Sequence, residues 1–243
     1  MIFNSEPNDW RDLQQKVCQT FLEMGCIAEV EKTVNTVRGK VSIDVYVNDN
    51  RGKPELIYIC ECKYWNTPVP QTVVHSFQTV VSNIGAHVGY IISKNGFQSG
   101  AYEAVSNTNI FLVSWEQFQE MLFDSWRKNM FKEIEKFGKN FSEYLDYFSG
   151  PPRDADDSEK LSLLCEKYHV YLFVSPYSNT MNSSKLIKFP LHCIDPRGDI
   201  SKKDRIAITN YRDFFDILNE AKETGIKAFV DFRAFLKEKH GRD

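Results

Sequence analysis

The sequence predicts an α/β fold, a mixed β-sheet flanked by helices and followed by a smaller C-terminal α/β unit. Three observations point there. Val41, Ile43, Val45 and Val47 alternate with Ser42, Asp44 and Tyr46, the period of a half-buried strand. Trp10, Leu13, Val17, Phe21 and Met24 recur at helical spacing, as do Val73, Phe77, Val80, Val81 and Ile84. After an antiparallel strand pair, the pattern runs helix, strand, helix, strand, which places helices over a mixed sheet.

Taken in order, residues 8–24 read as an amphipathic helix stopped by Gly25, and a short strand spans Ile27 to Val34. The Val41 strand is followed by a turn rich in Asn, Asp, Gly and Pro from Asn48 to Pro54. Leu56 to Lys63 is the next strand, and the two form a hairpin. Pro68 and Pro70 open a helix that runs to Ile84. His87 to Ser93 is an apolar strand, Gly96 turns the chain into a short helix with Ala101 and Ala104, and Ile110 to Ser114 is a further buried strand. Trp115 to Phe148 is helical, as one helix or two. Gly150-Pro151-Pro152-Arg153-Asp154-Ala155-Asp156-Asp157 reads as a linker. This divides the chain into residues 1–148, a linker over 149–157, and a small α/β domain over 158–243. In that domain, strands are expected near His169 to Val174, Leu186 to Ile194 and Arg205 to Thr209. Helices are expected at Tyr211 to Thr224 and Phe229 to Lys239.

The 243 residues carry a formal charge of −3, which excludes a passive, non-specific coat for a polyanion but not an enzyme that reaches a backbone through local cations. The six cysteines lack C-x-x-C spacing, so free buried thiols in a reducing cytoplasm are expected. The N-terminus does not read as a signal peptide, and no stretch is apolar enough to span a bilayer.

Asp44, Glu61 and Lys63 carry the chemistry. Strand side chains alternate, so Glu61 and Lys63 project from one face, with Asp44 on the neighbouring strand. Two carboxylates and an ammonium gathered on a sheet are costly unless they hold a metal or do chemistry. Phosphodiester hydrolysis needs a deprotonated water and counter-charge for the phosphoryl oxygens, and a hard cation on oxygen ligands supplies both. Asp44, Glu61 and the Cys62 carbonyl are the candidate ligands of Mg²⁺, for which Mn²⁺ substitutes. Lys63 is the candidate group on the attacking water. The bland alternative is an ion pair on an exposed sheet face.

Val41-Ser42-Ile43-Asp44-Val45, Glu61-Cys62-Lys63-Tyr64-Trp65, Gly85-Ala86, Gly89-Tyr90-Ile91-Ile92-Ser93, Gly96-Phe97 and Ala101 occur in that order. Over roughly Trp10 to Trp115 this series resembles the PD-(D/E)xK nuclease superfamily, in its Mrr-like restriction endonuclease branch. The resemblance implies a restriction-endonuclease-like sheet, a Mg²⁺-dependent cut in DNA that leaves a 5′-phosphate and a 3′-hydroxyl, and a role in restriction or anti-phage defence. It also implies a homodimer by analogy. Gln14 stands where relatives often carry a metal-binding glutamate on the first helix, and Gln71 is a weaker candidate for ordering substrate or water.

Other signals are weaker. Arg38 and Lys40, Arg51 and Lys53, and Ser201 to Arg205 are candidate phosphate contacts or solvated loop charge. His75 and His87 have no spaced partner, Cys60 and Cys62 read as core thiols, and Glu220-Ala221-Lys222 lies on a helix, where such a pair does not converge. Tyr64 and Trp65 either stack on a base or support the wall of the site. The reading is therefore a metal-dependent endonuclease acting on DNA, although the residues do not separate DNA from RNA. Its rivals are a catalytically silent binding module on the same scaffold, and an effector nuclease switched on by a partner protein in a larger complex.

Overall fold

Asp9 begins the first helix by accepting the backbone N–H of Asp12 at 2.8 Å, which satisfies one of the donors every helix start leaves open. Helix α1 (Trp10–Glu23) buries Leu13, Gln14, Val17, Cys18, Thr20 and Phe21. Trp10, expected on the buried stripe, is instead exposed with the Arg11 guanidinium over its ring. A computed structural model of the chain describes residues 1–145, 154–168, 187–197 and 203–241. Two compact units emerge, Met1–Asn129 and Met130–Asp243.

In the first unit, strands β1 (Ile27–Thr36), β2 (Gly39–Asp49), β3 (Leu56–Lys63), β4 (Val88–Ser93) and β5 (Ile110–Ser114) form one sheet in that spatial order. The first two pairings are antiparallel and the last two parallel, so the expected mixed sheet is present. Helix α2 (Gln71–Ile84) connects β3 to β4, and α3 (Ser99–Ala104) connects β4 to β5. These are the crossovers that parallel neighbours require.

Both faces of the sheet are covered. Val74, Phe77 and Val81 of α2 and Ala101 of α3 pack on Ile43, Ile59, Ile91 and Ile110. On the other face, Phe21 of α1 stacks against Tyr58 of β3 and meets Tyr90 of β4. Phe118, on helix α4 (Trp115–Leu145), packs edge-on against both Phe21 and Tyr90. Each such side chain, fully buried, contributes roughly 1.5–3 kcal/mol by leaving water.

Helix α2 lies close over the sheet because Gly89 has no side chain. A Cβ there would sit 2.7 Å from Phe77 Cε1 and 2.8 Å from Val81 Cγ2. Both neighbours are buried core side chains with little room to give. Gly89→Ala is therefore expected to cost about 1–3 kcal/mol by overpacking. Urea unfolding checks this, and an unchanged midpoint would contradict the packing.

The second unit contains the C-terminal part of α4, α5 (Ala155–Lys167), the antiparallel pair β6 (Leu191–Ile194) and β7 (Arg205–Ile208), and α6 (Tyr211–His240). Asp154 to Asp157, read from sequence as linker, form the N-cap and first turn of α5, since Asp154 accepts the Asp157 N–H. Gly150 to Arg153 lie outside the described residues, as does the strand expected at His169 to Val174. The two helices expected after Tyr211 are one. Gly225, in the gap between those two expected helices, is a buried residue of α6, as are Phe215, Leu218, Ala221 and Phe229. Packing outweighs the roughly 1 kcal/mol that an interior glycine costs a helix. Lys239 and His240 at the end of α6 pair with Asp154 and Asp157 at the start of α5, with Asp157 fully buried. The acids sit at a helix N-terminus and the bases at a helix C-terminus, as the helix dipoles favour.

Candidate active site

Asp44 lies where the ladders on both sides of β2 give way. Pairing with β3 runs from Asp49↔Leu56 to Val45↔Cys60 and ends there. One step further, the Cys62 backbone N–H donates to Asp44 Oδ2 at 2.7 Å, so a side chain takes the place of a ladder partner. On the other side, Asp44 is the residue between Gly39 and Asn48 that lacks a partner on β1. The residue opposite it, Glu31, adopts φ 51°, a left-handed conformation that costs a non-glycine residue about 1–3 kcal/mol. A local break in pairing that re-aims one acidic side chain is a feature found beside functional sites.

Glu61 and Lys63 leave β3 on the face covered by α2, as alternation requires. The Lys63 ammonium donates to Glu61 Oε1, and both side chains are largely buried. They line a cavity of about 310 Å³ together with Trp65, Thr72, Val73, Ser76, Phe77 and Val80. It lies by the C-terminal end of β3, the end at which open α/β sheets bind ligands. Burial holds the Glu61 carboxyl above the ordinary range, and the Asp44 charge pushes it the same way. Lys63 opposes both without cancelling them. By formal charge the site brings two carboxylates, Asp44 and Glu61, to one ammonium, Lys63.

That donor set fits a hard divalent cation. Asp44 and Glu61 supply carboxylate oxygens, the ligands such ions prefer. In a strand, the N–H and C=O of one residue point to the same edge. The Cys62 carbonyl therefore points toward β2, on the side of Asp44, beyond the last paired residues.

A family model described as restriction endonuclease, of the Mrr catalytic type, matches residues 6–122. Those residues form a Mrr-type restriction endonuclease domain of the PD-(D/E)xK superfamily. A solved structure titled protein of unknown function AF1548 is similar at 19% identity, covering 42% of this chain and 56% of that one, with a TM-score of 0.37. The chain thus spans little more than half the length of that protein. No curated protein matches.

In this Mrr-type domain, the glycine-bearing tail is scaffolding for the site. Gly96, at φ 72°, turns so that its carbonyl accepts from Val69 N and Ser93 Oγ, both at 2.9 Å. That contact ties the start of α2 to the end of β4. Gln71 sits on the first turn of α2 with its amide oxygen facing Gly100 of α3, away from the cavity lining. Gln14 is buried on α1, which packs on the sheet face opposite Glu61 and Lys63. Arg38 and Lys40 are exposed at the tip of the β1–β2 hairpin, with Lys40 about 13 Å along the strand from Asp44. Arg51, a candidate phosphate contact, is committed elsewhere. It forks onto Asp49 at 2.6 and 2.7 Å and donates to the Met24 carbonyl at 2.8 Å. His87 Nδ1 accepts the Ile57 N–H at 2.9 Å and so holds the start of β3. All six cysteines are free thiols. Cys60 and Cys62 are buried, which raises them well above the ordinary thiol range. Glu220 pairs with Arg197, not with Lys222. Among the described residues, no helix is long and apolar enough to cross a membrane.

The sequence reading missed the α2 wall of the cavity. Its signal was present, because the apolar arc of α2 is wider than one sheet contact needs. Val74 and Val81 face the core, Val73 lines the cavity, and Phe77 and Val80 do both.

Glu61 yields a prediction with a definite sign. Its carboxyl is raised, so between the ordinary carboxylate range and its folded value the native state holds more protons than the unfolded chain. Stability from this group is therefore present at low pH and lost as pH rises through the folded value. Glu61→Gln mimics the protonated form and is expected to melt no lower than wild type at neutral pH, although it removes half of an ion pair. A melting midpoint several degrees lower would show that the Lys63 pair dominates instead.

Proposed function

We propose that this chain is a metal-dependent endonuclease that hydrolyses DNA phosphodiester bonds, with Asp44, Glu61 and Lys63 as its catalytic residues. What supports the reading is where the three stand on neighbouring strand ends. Asp44 is held on the Cys62 N–H at 2.7 Å, and Glu61 and Lys63 pair at the edge of one cavity. The restriction endonuclease domain spanning these residues supports a DNA substrate.

Asp44, Glu61 and the Cys62 carbonyl would hold Mg²⁺, for which Mn²⁺ substitutes. When bound, the cation supplies counter-charge to the phosphoryl oxygens and acidifies water. Lys63, fixed by Glu61, donates a hydrogen bond that orients the attacking water and offsets charge gathering on the phosphoryl group. The water oxygen bonds to phosphorus as its proton passes to solvent, the bond from phosphorus to the 3′-oxygen breaks, and that oxygen takes up a proton from a solvent water. The products are a 5′-phosphate and a 3′-hydroxyl. Arg38 and Lys40, exposed at the hairpin tip, suit phosphates remote from the cut. The second unit serves recognition, partner binding or regulation, and the biological setting is restriction or anti-phage defence.

Incubating supercoiled plasmid with the full chain and Mg²⁺ or Mn²⁺ tests the reading, with nicked and linear products expected and EDTA abolishing them. Intact plasmid under both cations, together with DNA binding indifferent to EDTA, would instead identify a silent binding module.

A further inference from the structure

Trp65 and the outer face of α2 are not used by the hydrolytic site, yet they build most of its cavity. Tyr64 and Trp65 follow Lys63 directly, but their surroundings differ. The Tyr64 hydroxyl donates to the Pro7 carbonyl at 3.0 Å, and Lys94 covers its ring at 4.0 Å, so Tyr64 is part of the scaffold. Trp65 is 41% exposed and lines the cavity, with the Lys63 ammonium 5.1 Å from its ring centre. Val73, Phe77 and Val80 give the cavity an apolar wall, and Thr72 and Ser76 line it as well, the Ser76 hydroxyl donating to the Thr72 carbonyl at 3.0 Å and keeping its oxygen as an acceptor. An indole, an apolar wall, two hydroxyls and about 310 Å³ of space form the kind of site that takes a flat, hydrogen-bonding ring.

We propose that this cavity binds a single unpaired nucleobase next to the scissile phosphate, stacked on Trp65, so that the preferred substrate carries an unpaired or extruded nucleotide at the cut. The proposal rests on the hydrolase reading, because Lys63 and Glu61 at the cavity edge are what place a phosphodiester beside the base. A base inside a duplex cannot occupy it, since both of its faces are covered by neighbouring pairs. An extruded or single-stranded base offers a free face to the indole and a free edge to Thr72 and Ser76. Stacking of this kind tolerates any base, so the site selects for unpairing, not for sequence.

The test uses the full chain and three oligonucleotides of one sequence: single-stranded, fully paired, and paired with one bulged 2-aminopurine. Binding is read in Ca²⁺ and in EDTA, where turnover does not obscure it. The wild type is expected to quench 2-aminopurine in the single-stranded and bulged forms and to bind them more tightly than the paired form. Trp65→Ala is expected to weaken that binding roughly 5- to 150-fold, the worth of one base on an aromatic ring, while Trp65→Phe retains most of it. Ser76→Phe, at an exposed position on α2, fills the cavity from outside and is expected to abolish the quench. Both positions are partly or fully solvent-exposed, and circular dichroism melting confirms that each variant is folded.

Equal affinity for paired and unpaired DNA, no quench, or variants that bind as wild type would each overturn the proposal. The two readings fail separately. A protein that cuts plasmid while Trp65→Ala and Ser76→Phe change neither binding nor preference keeps its hydrolase site and loses the base pocket. One that quenches the bulged base through Trp65 but never cuts keeps the pocket and loses the hydrolase site.

Discussion

Lys63→Ala is expected to lower plasmid cleavage by about 10²- to 10⁴-fold, the usual worth of a positioned proton-handling or charge-stabilising group. The ammonium is fixed by Glu61, so circular dichroism melting is run beside the assay to separate lost turnover from the destabilisation that an unpaired Glu61 brings. Cation affinity is expected to move the other way. Removing a positive charge from beside two carboxylates takes away repulsion, so calorimetry with Mg²⁺ should show binding no weaker than wild type. Lys63→Arg is not expected to rescue, because a planar guanidinium cannot occupy the site of a compact ammonium on Glu61 Oε1. Wild-type rates in Lys63→Ala would remove this residue from the mechanism.

Asp44→Asn is expected to weaken Mg²⁺ binding by about 10³-fold or more, and cleavage with it. Deleting one unit charge about 4 Å from a cation costs about 4 kcal/mol at near-surface screening, and the cation here is divalent. The substitution is chosen because the amide oxygen still accepts the Cys62 N–H, so the strand end keeps its local hydrogen bond. It also removes the Asp44 charge that helps raise the Glu61 carboxyl, and Glu61 should then titrate closer to the ordinary carboxylate range. NMR titration of that carboxyl in the metal-free protein reads this directly. An unshifted Glu61 would show the two acids to be uncoupled and would separate them as a joint cation site.

The Glu61 shift also bears on folding. Burial and the Asp44 charge both disfavour the ionised form of Glu61, and a bound cation would relieve that cost. Thermal stabilisation by Mg²⁺ is thus the expected companion of activity, and it should disappear in both Asp44→Asn and Glu61→Gln.

Residue pattern alone carried much of this protein. Alternation along Leu56 to Lys63 put Glu61 and Lys63 on one face, because a strand repeats every second residue whatever surrounds it. The turn between Asp49 and Leu56 brought Asp44 alongside, because a hairpin is local. The order of helices and strands from Trp10 to Ser114 was legible for the same reason.

What the pattern could not settle depended on residues far apart in sequence. Arg51 reads as a phosphate contact until Asp49 and the Met24 carbonyl claim it. The stretches Tyr211 to Thr224 and Phe229 to Lys239 read as two helices until burial of Gly225 joins them in α6. Tyr64 and Trp65 are equivalent in sequence, and only Pro7 and Lys94 separate scaffold from cavity wall. Local periodicity determined the strands and the face on which the charged groups stand. Long-range packing decided which of those groups remain available to a ligand, because a side chain's partners come from wherever the fold brings the chain back to it.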